Sequence, residues 1–484
     1  MTQQELEKYL WGAATALRGT IDAGDYKQYI FPLLFFKRIC DVYEEEFQKA
    51  LEESDGDLEY AAFAENHHFI VPADAHWTQV RETTTNVGLA IQNAMRKIEK
   101  ANPDTLEGIF GDASWTNKNR LSDETLINLI EHFSQHTLNL ANVADDKLGN
   151  AYEYLIKEFA DDSGHTAAEF YTNRTVVKLM TKIMDPQPGE SVYDPTCGSG
   201  GLLLNCALHL KEEGKEYRNL KLYGQEINLI TSAIARMNMF MHGIEEFKIV
   251  RGDTLAEPAL LKNDQLKTFN VILANPPYSI KSWNRDAFVN DPWGRNLWGT
   301  PPQGCADYAF QQHIQKSLDK NNGRFAILWP HGILFRDAEA EMRRNMIKDD
   351  VIEAVIGVGP NLFYNSPMEA MILVGNNNKP AERRGKILFV DGKKDVVQNK
   401  GQAHLTNENI QKLFDSFQTF DNLDGFSKVM TNDDILENYD GNLNISFYVK
   451  TKNVKTENFK ETYFDWIEKS ESLKFNLEKL LNGN

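Results

Sequence analysis

The sequence predicts an α/β protein: a mostly parallel sheet with helices between its strands, preceded by a helical N-terminal domain and followed by a helical C-terminal tail. Three observations predict it. Short apolar runs alternate with amphipathic stretches between residues 161 and 395, the pattern of strand–helix–strand units. Residues 1–160 carry apolar side chains at helical spacing, with few glycines and no period-two alternation. Residues 396–484 open with Asn- and Lys-rich polar loops and finish on an amphipathic run, Tyr463 to Leu481.

In the first section, Asp25 to Glu46 is the strongest helical pattern, with Tyr26, Tyr29, Ile30, Leu33, Leu34 and Ile39 among its apolar positions. Pro32 interrupts it and marks a kink or a first helical turn. Further helices are expected over Thr125–His136 and Lys147–Ala160. In the second section the candidate strands are Ser191–Tyr193, Leu220–Gly224, Phe247–Val250, Phe269–Ala274, Arg324–Trp329, Ile352–Ile356, Ala370–Val374 and Ile387–Val390. In the third, Trp466, Leu473, Leu477 and Leu480 share one helix face, suited to packing on its own domain or to docking a partner.

Composition narrows the function. At 484 residues, 42% hydrophobic and 25% charged, the chain builds a sizeable core in about two to four domains. No apolar run is long enough to span a membrane, and the polar, acidic N-terminus is not a secretory signal. Cys40, Cys197, Cys206 and Cys305 lack metal-site spacing and suit a reducing compartment. The expectation is a cytoplasmic protein without a metal. The net charge of −18 is unfavourable for holding nucleic acid alone, so either the substrate is not nucleic acid or a partner supplies positive surface. The basic pairs Arg343-Arg344 and Arg383-Arg384 read as solvated faces.

Ligands of open parallel sheets bind beyond the carboxyl ends of the strands. Four successive strands here end in useful polar residues. The first runs into Asp194-Pro195-Thr196-Cys197-Gly198-Ser199-Gly200-Gly201, a glycine-rich turn before a helix, whose bunched glycines differ from a dinucleotide fingerprint. The second ends at Glu226, near the offset of about 20 residues at which an acid bonds ribose hydroxyls. The third leads into Asp253, an acceptor for an adenine amino group, and the fourth ends at Asn275-Pro276-Pro277-Tyr278. Two prolines fix two φ angles and remove two donors, so the carbonyls there are open to a ligand. An amide oxygen, a proline carbonyl and a flat tyrosine face suit a planar group bearing an NH2. The ligand implied is S-adenosylmethionine, with its ammonium on Asp194, its ribose on Glu226 and its adenine on Asp253. The chemistry implied is direct methyl transfer to an amino nitrogen.

The chain resembles the amino-group DNA methyltransferases, and most closely the modification subunits of type I restriction–modification systems. Beyond the motifs above, Asp25 to Ile39 resembles that family's N-terminal helical signature, and Leu148 to Ile156 the segment ahead of its catalytic domain. Glu169-Phe170-Tyr171-Thr172 resembles its cofactor motif. Ala306-Asp307-Tyr308-Ala309-Phe310, Pro330 to Arg336 and Asn361 to Tyr364 resemble later landmarks. The resemblance implies a helical domain at 1–160, a Rossmann-like S-adenosylmethionine-dependent methyltransferase domain at 161–395 and a C-terminal extension at 396–484. It implies methylation of adenine N6 in double-stranded DNA, with base flipping. Asn275, Pro276, Pro277 and Tyr278 would be catalytic. Glu169, Phe170, Tyr171, Thr172, Asp194, Thr196, Gly198, Ser199, Gly200, Gly201, Glu226 and Asp253 would bind the cofactor. A separate specificity subunit flanked by two modification subunits would read the sequence, with a restriction and translocation subunit in the full complex.

Two departures stand out. Asn173 replaces the family's usual proline, which should loosen that turn, and Asn365-Ser366-Pro367-Met368-Glu369 replaces a glycine-rich stretch. The segment Ser279 to Cys305 holds Trp283, Trp293 and Trp298 among Gly, Pro and Asn; it reads as a mobile loop closing over the flipped base or the DNA, with a packed surface loop on aromatic anchors as the alternative. A protein glutamine methyltransferase also needs Asn-Pro-Pro-Tyr, but the helical N-terminus and later landmarks argue against it. Intact Asn275 and Asp194 argue against a non-catalytic assembly subunit. The glycines from Gly294 to Gly299 before Thr300 lack the P-loop lysine, which argues against a translocating nuclease.

Overall fold

A nine-stranded sheet frames the molecule in the computed structural model, which describes residues 1–162, 171–362, 369–398 and 403–450. Its strands are β1 (Ser191–Asp194), β2 (Lys221–Glu226), β3 (Phe247–Arg251), β4 (Val271–Ala274), β5 (Arg324–Pro330), β6 (Ile352–Val358), β7 (Ala370–Asn376), β8 (Lys386–Gly392) and β9 (Ser427–Thr431). Their order is β9-β8-β6-β7-β5-β4-β1-β2-β3. Only β7 and β9 run against the rest. The order reverses between β1 and β4, which lie side by side with Val192 opposite Val271. That reversal opens a crevice at the carboxyl ends of both strands.

The main helices are α1 (Gln3–Leu17), α2 (Lys27–Glu53), α3 (Val87–Ala101), α4 (Asp123–Phe133), α5 (Asp145–Asp162), α6 (Arg174–Met184), α7 (Gly201–Glu212), α8 (Leu229–Met241), α9 (Asp307–Lys316), α10 (Ala340–Lys348) and α11 (Asn407–Thr419). Helices cover both faces of the sheet, so its central strands are apolar throughout rather than alternating. In β4, Val271 and Leu273 enter a core with α6, α7 and α11. Ile272 and Ala274 enter the opposite core with α9 and α10. Each successive side chain serves the other face, as the pleat requires.

A third core belongs to the N-terminal helices and includes Ala233, Ile234, Met237 and Met241 of α8. Ala235 and Met239 of the same helix pack on the sheet instead. Helix α8 therefore carries apolar side chains toward both cores, because it is buried on two sides. The Tyr152 hydroxyl donates to the Ile234 carbonyl at 3.3 Å, and Arg236 donates to the carbonyls of Thr105 and Glu107 at 2.6 Å each. Gly149 permits the close approach: a Cβ there would lie 2.4 Å from the His242 ring. Pro32 lies well inside α2, not in its first turn.

The eight strands expected from the sequence all form. The ninth, β9, is a half-exposed antiparallel edge strand beside β8, and its polar sequence gives it little apolar signal. Its presence carries the sheet past the change of texture near residue 395, and Ile410, Leu413 and Phe417 of α11 join the same core. The expected helix over Tyr463–Leu481 lies outside the described residues. Among the described residues no helix is long and apolar enough to cross a membrane.

One arginine of each basic pair, Arg343 and Arg383, is built into the structure, while Arg384 is exposed. Arg343 is buried and donates to the Gly441 carbonyl at 2.9 Å, while Arg344 pairs with Asp440. Arg383 pairs with the buried Glu353 at 2.9 Å and lies over the rings of Phe417 and Phe420. Arg384 donates to the Lys379 carbonyl.

Candidate active site

Strand pairing sets the four polar strand ends along one rim. Asp194 closes β1 opposite Gly224 of β2. Glu226 closes β2 opposite Arg251 of β3, two residues before Asp253. Asn275 follows the last residue of β4, the neighbour of β1 on its other side. The sequence along the rim is Asp253, Glu226, Asp194, Asn275.

The glycine-rich turn between β1 and α7 is built as a cradle. Gly198 and Gly200 adopt φ of 53° and 80°, conformations that need no Cβ. The Glu226 carboxylate accepts from the Gly198 amide at 3.0 Å and from the Asn228 amide at 2.9 Å. Ser199 is buried, and its carbonyl accepts from Asn238 of α8 at 3.0 Å. A cavity opens beside this turn, and its lining includes Thr172, Arg174, Asp194, Thr196, Gly198 and Asn275.

Asp194 is buried and accepts from the Thr196 amide at 3.0 Å. Among the described residues it forms no ion pair. Burial pushes its carboxyl up to about 8; the Thr196 amide opposes the shift and the Glu226 carboxylate adds to it. A buried acid without a counter-charge, next to backbone amides, suits the ammonium of an amino-acid ligand. Asp253 is exposed at the rim and accepts from the amides of Leu255 and Ala256 at 2.9 and 3.1 Å, so it shapes its own turn.

At the catalytic turn, the Asn275 side-chain NH2 donates to the Thr172 hydroxyl at 3.1 Å. The Tyr278 hydroxyl donates to Asn275 Oδ1 at 3.0 Å, and burial raises its pKa. Thr172 thus fixes which way the amide faces, a role that the sequence pattern did not disclose. Tyr171 is buried with the Arg174 guanidinium 4.7 Å from its ring centre. Glu169 and Phe170 lie outside the described residues, as do Phe363 to Met368.

Ser279, directly after the turn, has φ of 53° and donates its amide to Asp307 at 2.7 Å. Asp307 is fully buried and also pairs with Arg336, which donates to Glu339 at 2.7 Å and to the Ser279 hydroxyl at 3.3 Å. Both Asp307 and Arg336 lie in stretches that stood out in the sequence. Their meeting at Ser279 is tertiary.

Two expectations are corrected. Asn173 does not loosen its turn. Its side chain caps α6 by accepting from the Thr175 amide at 3.0 Å, and its NH2 donates to the Ala403 carbonyl at 2.9 Å. An N-cap bond replaces the rigidity of a proline. The segment from Ser279 to Cys305 is braced along its length rather than hanging free. Trp283 donates to the Gln303 carbonyl at 3.1 Å, and the buried Trp298 donates to Asp349 at 2.6 Å. Arg295, 1% exposed, pairs with Asp291 and donates to the carbonyls of Thr254 and Leu255 at 2.9 and 2.8 Å. One guanidinium therefore ties this segment to the turn after Asp253.

Comparison with known proteins adds independent support. The N-6 DNA methylase family matches residues 143–457, and the HsdM N-terminal domain matches residues 6–133. The chain is similar to the type I restriction enzyme MjaVIII methylase subunit of Methanocaldococcus jannaschii, with 31% identity covering 95% of this chain and 82% of that protein. It is similar to the MpnII methylase subunit of Mycoplasma pneumoniae, with 29% identity over 93% of this chain and 90% of that one. Among solved structures, the type I restriction-modification methyltransferase subunit from Streptococcus thermophilus superposes with a TM-score of 0.80 at 30% identity. That match covers 93% of this chain and 100% of the other.

Proposed function

The chain belongs to the N-6 DNA methylase family of type I restriction–modification systems and is an adenine-specific DNA methyltransferase; on that premise we propose how its rim performs the reaction. The family is S-adenosylmethionine-dependent, and we assign the cavity beside Asp194 to that cofactor. The observation that carries the reading is the adjacency of Asp194 and Asn275 at the strand-order reversal. The residues fit the group: a buried carboxylate with no ion pair among the described residues for the ammonium, glycine backbone for close approach, and rim acids for the ribose and adenine.

S-adenosylmethionine supplies an electrophilic methyl group on a sulfonium that leaves as a neutral thioether. The chain's residues present the nucleophile. Asn275 Oδ1 and the Pro276 carbonyl accept the two N–H bonds of the adenine amino group, and Tyr278 stacks on the base. As the nitrogen lone pair takes the methyl, positive charge grows on N6. Both acceptors face that charge, and the excess proton then passes to solvent. Flipping the base costs a few kcal/mol, which stacking on Tyr278 offsets in part. The Tyr278 hydroxyl donates to Oδ1, so base entry exchanges one donor for another.

The methylase works with DNA and with the other subunits of its system. We assign sequence reading to a specificity subunit held by two methylase subunits, with a restriction subunit in the full complex. The net charge of −18 supports that division, because 70 acidic residues outweigh 52 basic ones and oppose binding to phosphates. We place the enzyme in the cytoplasm with its DNA. The test is transfer from labelled S-adenosylmethionine to duplex DNA, with and without the co-expressed specificity subunit, and with protein acceptors in parallel. Label recovered as N6-methyladenine is expected; label on protein alone would replace this reading with the glutamine one.

A further inference from the structure

Arg174 sits where the cofactor turn meets the helical domain. Its guanidinium lies against Gly201 at the start of α7: a Cβ on that glycine would be 1.7 Å from Nη1. One face covers the Tyr171 ring. Nη2 pairs with Glu153 of α5, and Asn238 donates both to Glu153 at 3.3 Å and to the Ser199 carbonyl at 3.0 Å. Nε is buried and has no hydrogen-bond partner among the described residues.

The geometry points to Arg174 as the residue that binds the carboxylate of the methyl donor's amino-acid end, with Glu153 as the positioning residue that aims its guanidinium. This rests on the reading of the cavity as the donor's site. An amino acid carries both charges, so its pocket needs both. Asp194 is the anion in the cavity wall, and Arg174 is its only cation among the described residues. The carboxylate would also meet the amides at the start of α7, a twelve-residue helix whose N-terminus favours an anion. Arginine suits the task because its planar fork donates to a carboxylate with one edge while another is held. Tyr171 and Glu153 fix that fork before the ligand arrives. Glu153 comes from the N-terminal helices, so the helical domain contributes to cofactor binding without touching the cofactor.

The test compares S-adenosylmethionine with its decarboxylated form, which keeps the nucleoside, sulfonium and ammonium. Calorimetric titration of the full chain is expected to show a preference for the carboxylate-bearing compound of about tenfold or more. Arg174→Ala is expected to abolish the preference while leaving affinity for the decarboxylated compound within about twofold. Arg174→Gln carries the same comparison if the alanine variant melts early. Glu153→Gln is expected to shrink the preference without abolishing it; an unchanged preference would end its positioning role. A preference that survives in Arg174→Ala and Arg174→Gln, or an equal loss of both ligands in a folded variant, overturns the assignment. If the wild-type chain binds both compounds equally, the inference alone fails. If it binds neither, the cofactor reading fails with it.

Discussion

Asn275 Oδ1 is shared in time between the Tyr278 hydroxyl and the adenine amino group. That exchange separates the two functions of the tyrosine. Tyr278→Phe keeps the stacking face and removes the competing donor, so methyl transfer is expected to stay within about tenfold of wild type. Asn275→Ala removes an acceptor from the growing charge and should lower kcat by about 10²–10³-fold, while cofactor still binds by calorimetry. Asp194 makes a pH prediction. Its carboxyl is pushed up to about 8 in the native state, against about 3.9 in an unfolded chain. Between those values the native state holds the extra proton, so this group lowers stability as pH rises through the window. Asp194→Asn should therefore gain stability relative to wild type between about pH 4 and 8, read from melting curves. It should also weaken cofactor binding. Because the incoming ammonium favours the ionised acid, wild-type affinity should rise toward about pH 8, with protons released on binding below it.

Among elements, the turn after β4 depends on residues far along the chain. Asp307 holds the Ser279 amide in a left-handed conformation, and Arg336 ties Asp307 to Glu339. Asp307→Asn keeps an acceptor but loses the ion pair. Small misplacements at a reacting centre are costly, so kcat is expected to fall by about 10–100-fold with cofactor affinity unchanged. An equal loss of cofactor binding would show that Asp307 supports the whole crevice and not the turn. The braced segment from Ser279 to Cys305 belongs to the same scale. In sequence its tryptophans, set among Gly, Pro and Asn, allow either a mobile loop or a packed one. In the fold they and Arg295 are anchors, since Arg295 finds backbone carbonyls and Trp298 finds Asp349.

At the scale of the whole molecule, α8 joins the helical domain to the sheet, and Gly149 sets how closely α5 approaches it. Gly149→Leu should overpack the contact with His242 and cost about 1–3 kcal/mol, seen as an earlier or split melting transition. The acidic balance makes a further prediction. The chain alone should bind duplex DNA weakly and without sequence preference in a filter or anisotropy assay. Tight, specific binding by the isolated chain would remove the need for a separate reader.

The sequence by itself determined the fold class, eight of the nine strands of the sheet, and the placing of four polar residues at strand ends; their order along the rim came from the strand order. The first three features are written in local apolar patterning and in turn chemistry, which neighbouring residues set. Only the tertiary structure decided that Thr172 orients Asn275, that Arg174 reaches the cavity with Glu153 behind it, and that Asn173 caps its helix instead of loosening a turn. It also decided that Ser427–Thr431 completes the sheet. Each of these joins residues distant in sequence, or rests on a side chain whose role depends on the partner it meets, and no local pattern encodes such a meeting.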